Sequence, residues 1–148
     1  MGKNLEPFWT IGEKGAHSRF KKFLDEGLDH YKNGRNRPDK SYVSKLSPHL
    51  HFGEISPNQL WYGLGEKMDN EHVDHFLSEL GWREFCYSQL YQNPDLPKKN
   101  IQLKFDEFPW IKNEPALSAW QEGRTGIPMV DAGMRELWQT GYMHNRVR

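Results

Sequence analysis

The sequence predicts an all-α fold. β-Branched residues are sparse, strict apolar–polar alternation is absent, and apolar residues recur at the 3.6-residue period of a helix lying on a core. The first helix is expected from Glu13 to Lys32, with Phe20, Phe23, Leu24, Leu28 and Tyr31 on one face and Asn33-Gly34 as its stop. A polar, basic loop follows from Gly34 to Lys45. Ser47-Pro48 reads as an N-cap with proline at the first helical position, opening a short helix that closes at Gly53. Ser56-Pro57 repeats the device and starts a helix through Leu60, Trp61 and Leu64. Asn70 caps the longest segment, Glu71 to Gln92, which ends before Pro94. Residues 95 to 112 form an irregular excursion carrying Phe105, Phe108 and Trp110. Pro115 opens a helix through Leu117 and Trp120 that ends near Gly123. Pro128 opens the last one, with Val130, Leu137 and Trp138, closed by Thr140-Gly141.

Composition narrows the class. The 148 residues make about one domain. They carry 20 basic and 20 acidic side chains, so neither a uniformly basic nucleic-acid coat nor an acidic tail is present. Aromatic residues are 14% of the chain and point to an aromatic core. No window approaches the roughly 18 consecutive apolar residues of a membrane span, and the opening MGKNLEPFWT has no apolar leader run. One cysteine, Cys86, makes no internal disulfide and fits a reducing, cytoplasmic setting. Charge is nevertheless uneven. Lys14 to Lys45 holds nine Lys/Arg against four Asp/Glu, and Arg146 and Arg148 form a basic end. If loop and end meet, they make a patch able to face phosphates; otherwise they are ordinary solvated surface.

Three groups of residues bear on chemistry. Glu79 and Arg83 fall inside an apolar stripe of the long helix with Phe76, Leu80, Cys86 and Leu90, at about 100° per residue. Charges there need partners or a ligand. They read either as an i,i+4 ion pair satisfying itself or as the floor of a site for a cofactor or base, with Trp82 as a stacking surface. Ser44-Lys45-Leu46-Ser47-Pro48 offers two hydroxyls, a lysine and free N–H groups, a plausible phosphate cradle, although capping alone also explains Ser47. The pairs His49/His51 and His72/His75 lack a third ligand, so no metal site is expected. Cys86 reads as a buried thiol, and Trp110 and Trp120 as core anchors.

Glu79-Leu80 before Trp82-Arg83-Glu84-Phe85, then Trp120-Gln121-Glu122-Gly123-x-Thr125-Gly126, Pro128-x-Val130-Asp131-Ala132-x-Met134-Arg135 and Met143-His144-Asn145-Arg146, closely resemble the DNA photolyase/cryptochrome family along essentially the whole chain. The stretch corresponds to the first half of the family's helical FAD-binding domain. The resemblance implies a flavin, FAD, held inside that domain, and light-driven transfer of an electron to a pyrimidine dimer flipped out of DNA. Tyr31 matches a tyrosine that contacts FAD. Val43, Ser44, Lys45, Leu46 and Ser47 match the phosphate loop, with Val43 in place of the usual threonine. Phe76 falls where some members carry a flavin-contacting tryptophan. Glu79 matches the acid that hydrogen-bonds the damaged pyrimidine, Trp82 the aromatic wall beside the dimer, and Arg83 an arginine near flavin and DNA phosphate. Asn145 matches the asparagine facing the flavin ring, and Arg148 a flavin-domain arginine. Arg35 and Arg146 match contacts to the DNA backbone, and Trp110 the surface end of the electron-transfer chain.

Glu79 and Asn145 together point to the bacterial-type cyclobutane dimer class, because the (6-4) photolyases and animal cryptochromes carry Gln and His at those places. The expected activity is a carbon–carbon lyase acting on dimer-containing DNA. A plant-type cryptochrome photoreceptor and a cofactor-free helical interaction fragment are the alternatives. Family members also carry an antenna domain before this region and a second half of the flavin domain after it. Residues 1–148 are therefore expected to be a partial domain supplying one wall of the flavin pocket, without an antenna pigment site. Such a piece is expected to be inactive alone and prone to self-association through its exposed half-pocket.

Overall fold

The long first helix expected from Glu13 to Lys32 is divided at Gly27. In the computed structural model, which describes residues 5–148 apart from the side chains of residues 66 and 68, α1 runs Glu13–Glu26. A 3-10 turn follows at Leu28–His30, and α2 is Tyr31–Gly34. The break falls at a close approach. A Cβ at Gly27 would meet Phe23 Cδ2 at 2.8 Å and the Tyr42 carbonyl oxygen at 3.3 Å, so the later loop lies against this glycine. Residues 1–4, part of the opening read as lacking a leader, lie outside the described residues.

The other elements follow the expected order. They are α3 (Ser47–His51), α4 (Pro57–Gly63), α5 (Glu71–Gln92), α6 (Glu114–Gln121) and α7 (Pro128–Thr140). The described residues contain no strand. Ser56 and Gln59 form a reciprocal capping box at the start of α4. Asn70 caps α5 by accepting the His72 N–H at 2.8 Å. Gly141, in the left-handed region at φ 72°, closes α7. Ser47 is not a cap. Leu46 occupies that position with helix-like angles, and no side chain bonds the first turn of α3.

The core joins α1, α2 and the first half of α5. Phe23, Tyr31 and Phe76 meet with ring centroids 4.9–5.5 Å apart, and Leu28, Leu46, Ile55, Leu60 and Val73 are fully buried around them. Burial of each such side chain contributes roughly 1.5–3 kcal/mol. The aromatic core is thus built of Phe and Tyr. The tryptophans lie outside it: Trp61, Trp82, Trp110, Trp120 and Trp138 are exposed. Trp9 is half-buried, its Nε1 donating to the Thr140 carbonyl at 2.6 Å. Trp110 and Trp120 are therefore not core anchors.

Helix α5 buries Val73, Phe76, Leu77 and Leu80. Beyond Gly81 its apolar side chains Trp82, Phe85, Tyr87 and Leu90 are exposed, and so is Cys86. The stripe drawn through Glu79 and Arg83 therefore divides: Phe76 and Leu80 lie in the core, Glu79 and Arg83 are half-buried at its edge, and Cys86 and Leu90 are exposed. On α7 the buried positions are Asp131, Gly133 and Met134, while Leu137 and Trp138 face outward. No helix of the described residues is long and apolar enough to cross a membrane.

Candidate functional site

Packing of α2 against α5 brings Arg35, just past the end of α2, onto Glu79. The Arg35 guanidinium donates through Nη1 to Glu79 Oε1 and lies 3.3 Å from His75 Nε2. It also stands 5.7 Å from the Tyr31 ring centroid. Burial pushes the Tyr31 phenol up to about 12; Arg35 opposes that shift, while Glu79 and Tyr142 add to it. The i,i+4 pair between Glu79 and Arg83 does not form, because Arg35 occupies the acid. Arg83 instead pairs with Glu84, reaches the Leu50 carbonyl at 3.4 Å and sits 4.7 Å from the Tyr87 ring. With Ser47, Leu50 and Leu90 it lines a groove of about 370 Å3.

The Val43–Ser47 segment has the backbone of an anion cradle. Lys45 stands at φ 53° in the left-handed region, unusual for a residue with a Cβ, and Leu46 follows at φ −86°, ψ −7°. Such a left-right succession turns consecutive N–H groups toward one side, the concavity that binds phosphates and other anions. Ser44 Oγ accepts the Leu46 N–H at 3.4 Å. The Ser47 hydroxyl caps nothing and is exposed, so capping no longer accounts for it. Val43, Ser44 and Lys45 also line a cleft of about 580 Å3 with Lys14, Arg19 and Lys22. Lys45 Nζ lies 4.5 Å from the Tyr142 ring, which ties the loop to the turn after α7.

The basic loop and the basic end meet. Arg146 Nε donates to Asn36 Oδ1 at 2.7 Å across 110 residues of sequence, placing Arg146 beside the Arg35 turn. Asn145, Arg146 and Arg148 are exposed, and His144 between them and α7 is buried. Trp82 is exposed one turn along α5 from Glu79, edge-on to Phe85 at 5.6 Å. Trp110 is 82% exposed on the 95–112 excursion. Among the described residues its ring neighbour is Phe108, at 4.6 Å, and the structure does not bring it to the Arg35–Glu79 cluster. The histidines read as weak metal pairs are engaged elsewhere: His72 Nδ1 accepts the Lys32 N–H at 3.1 Å, and His49 Nδ1 meets Glu54 Oε2 at 2.6 Å.

In the sequence, His75 stands only as half of a metal-spaced pair, Asp131 and His144 only as motif residues without a role, and Tyr142 is not singled out. Asp131 accepts the Thr125 N–H and hydroxyl and the Gly126 N–H at 2.6–3.0 Å, pinning the turn before α7. Those bonds, the Thr125 hydroxyl first, hold its carboxyl below the usual range. The available signal was the Thr125-Gly126-x-Pro128-x-Val130-Asp131 run, in which an acid follows a turn closely enough to reach back to it.

The helical scaffold thus carries the Arg35–Glu79 pair, Arg146 near it and a loop with the backbone of an anion cradle, beside open apolar surface. Residues 76–148 match the FAD binding domain of DNA photolyase. The deoxyribodipyrimidine photo-lyase of Agrobacterium fabrum is 46% identical over 99% of this chain and 31% of its own length. Cryptochrome-1 of Arabidopsis thaliana is 38% identical over 100% of this chain and 23% of its own length. The crystal structure of a bacterial class III photolyase from Agrobacterium tumefaciens superposes with a TM-score of 0.92 at 46% identity, covering 99% of this chain and 31% of that one. The chain belongs to the DNA photolyase/cryptochrome family. Its fold is that of the family's helical FAD-binding domain, and it spans about a third of the photolyase relatives' length.

Proposed function

We propose that this chain forms one wall of the flavin pocket in a light-driven deoxyribodipyrimidine photo-lyase that splits cyclobutane dimers in DNA. One observation carries the reading. Arg35 pairs with Glu79, Arg146 bonds Asn36 next to Arg35, and Lys45 of the Val43–Ser47 cradle reaches Tyr142 in the turn that leads to Asn145. The residues fit FAD. The N–H groups of residues 45 to 47 and the hydroxyls of Ser44 and Ser47 would take its phosphates, with Tyr31 as the buried floor and Arg83, Arg148 and Asn145 at the rim. Bound and reduced, the flavin supplies the electron that opens the dimer.

The side chains of this chain do the rest. Arg35 and Arg146 take DNA phosphates, and Trp82 stacks on the extruded bases, where its open face costs nothing to uncover. The Glu79 carboxyl hydrogen-bonds the damaged pyrimidine. Arg35 holds that carboxyl in place beforehand, so the acid enters the complex already oriented. The exposed apolar side chains of α5 beyond Gly81 pair copies of the 148-residue chain when nothing else covers them. An unpaired, exposed Cys86 fits a reducing cytoplasm.

A second reading is favoured by the 38% identity to a plant cryptochrome over the whole chain: a blue-light receptor that holds flavin without repairing DNA. One experiment separates them. Residues 1–148 replace the matching segment of the 46% identical Agrobacterium enzyme, and the purified chimera is illuminated with a dimer-containing oligonucleotide. The repair reading expects light-dependent restoration of intact thymines, reduced by Glu79→Gln with flavin retained. A flavin-loaded chimera that binds no dimer contradicts it.

A further inference from the structure

From the geometry of the turn after α7 we infer that His144 is the positioning residue that aims Asn145 and Arg146 outward, acting as a neutral imidazole whose Nδ1 accepts the Arg146 N–H. The inference rests on the flavin-facing reading of Asn145. Within this turn, buried and projecting residues are interleaved. His144 is 3% exposed. Val147 packs on α7 so closely that a Cβ on Gly133 would come within 2.3 Å of its Cγ1. Asn145, Arg146 and Arg148 project outward. Buried His144 and half-buried Val147 seat the turn, and the other three are carried by it.

Two groups of His144 hold this arrangement. Its Nδ1 lies 3.1 Å from the Arg146 nitrogen, and its carbonyl accepts the Val147 and Arg148 N–H groups at 2.9 and 3.3 Å. A ring nitrogen that accepts an N–H cannot carry a proton, so the ring proton resides on Nε2. Nε2 is buried without a well-formed hydrogen bond. Around the ring stand Glu136 from α7, Arg146 from its own turn, Lys45 from the cradle and the backbone of Arg35. Burial outweighs Glu136 and Arg35, which favour the charged ring, and Arg146 and Lys45 also oppose the charge. The neutral state required by the Nδ1 bond is therefore the one this pocket favours. Arg146, once oriented, reaches Asn36 beside Arg35, so one imidazole sets the register of the Asn145 turn against the Arg35–Glu79 pair.

The two ring nitrogens can be tested separately. His144→Asn keeps an acceptor for the N–H two residues on, as in an Asx turn, whereas His144→Gln extends past it and loses that bond. In the 148-residue chain, ring nitrogen-15 shifts should show Nδ1 unprotonated. The amide shifts of residues 145–148 should persist in His144→Asn and move in His144→Gln. In the flavin-loaded chimera, His144→Gln should alter the flavin absorption band and lower repair at least about tenfold, with recovery in His144→Asn. A protonated Nδ1, or unmoved amides and an unchanged flavin band in His144→Gln, overturns the inference. A chimera without flavin defeats the flavin reading while the imidazole result on the 148-residue chain stands by itself.

Discussion

The Arg35–Glu79 pair can be measured by a double-mutant cycle of Arg35→Met and Glu79→Leu. The Arg35 side chain is 14% exposed and that of Glu79 33%, between a surface pair worth roughly 0.2–1 kcal/mol and a buried hydrogen bond to a charge worth roughly 1.5–3 kcal/mol. Discounting for the third of Glu79 that water reaches, the coupling should be about 1–1.5 kcal/mol. The single costs should be unequal. Glu79→Leu strands a mostly buried guanidinium beside His75 and the Tyr31 ring, at about 2 kcal/mol. Arg35→Met keeps an apolar stem in place and leaves an acid that can turn to solvent, at about 1 kcal/mol. Urea unfolding followed by circular dichroism reads all four variants. A coupling below about 0.3 kcal/mol, or Arg35→Met costing more than Glu79→Leu, refutes the reasoning.

Other outcomes follow from the same structure. Ser44→Ala and Ser47→Ala should each weaken FAD retention by the chimera about tenfold or more, one charge-assisted hydrogen bond apiece, read by dialysis against free flavin. Leu60→Ala should lower stability by about 2–5 kcal/mol in urea, because Leu60 is 0% exposed in the core. Tyr31 should resist deprotonation to about pH 12, against 10.0 for an ordinary phenol; stability from its buried neutral form, complete below pH 10, should be lost as pH rises toward 12, followed by ultraviolet titration with a melting series. His144 is shifted downward, so the unfolded chain takes a proton before the folded one. Stability should therefore decline as pH falls below about 6.5, and His144→Asn should flatten that decline.

What was legible in the sequence depended on how local its cause is. Glu71–Gln92, the Asn70 cap and the closing Gly141 are each set within a few residues and appear as expected. Ser47-Pro48 and Ser56-Pro57 look alike as dipeptides, yet only Ser56 is extended, at φ −96° and ψ 156°, as a capping residue must be. Leu46, buried in the core, bends the chain into the helix one residue before Ser47. At Gly27, where the helix breaks, the Tyr42 carbonyl comes close, a contact that periodicity along one helix does not register. In the same way Glu79 and Arg83 suggested each other, while the partner of Glu79 stands 44 residues away. The tryptophans misled for a related reason: hydrophobic spacing identifies an apolar face but not what covers it.

Flavin held by these residues should survive purification. Flavin absorbance per chain in the purified chimera should correspond to one FAD, and Ser44→Ala combined with Ser47→Ala should strip it while helical content stays unchanged. A fully folded chimera that is colourless, or one whose flavin ignores both hydroxyls, would contradict it.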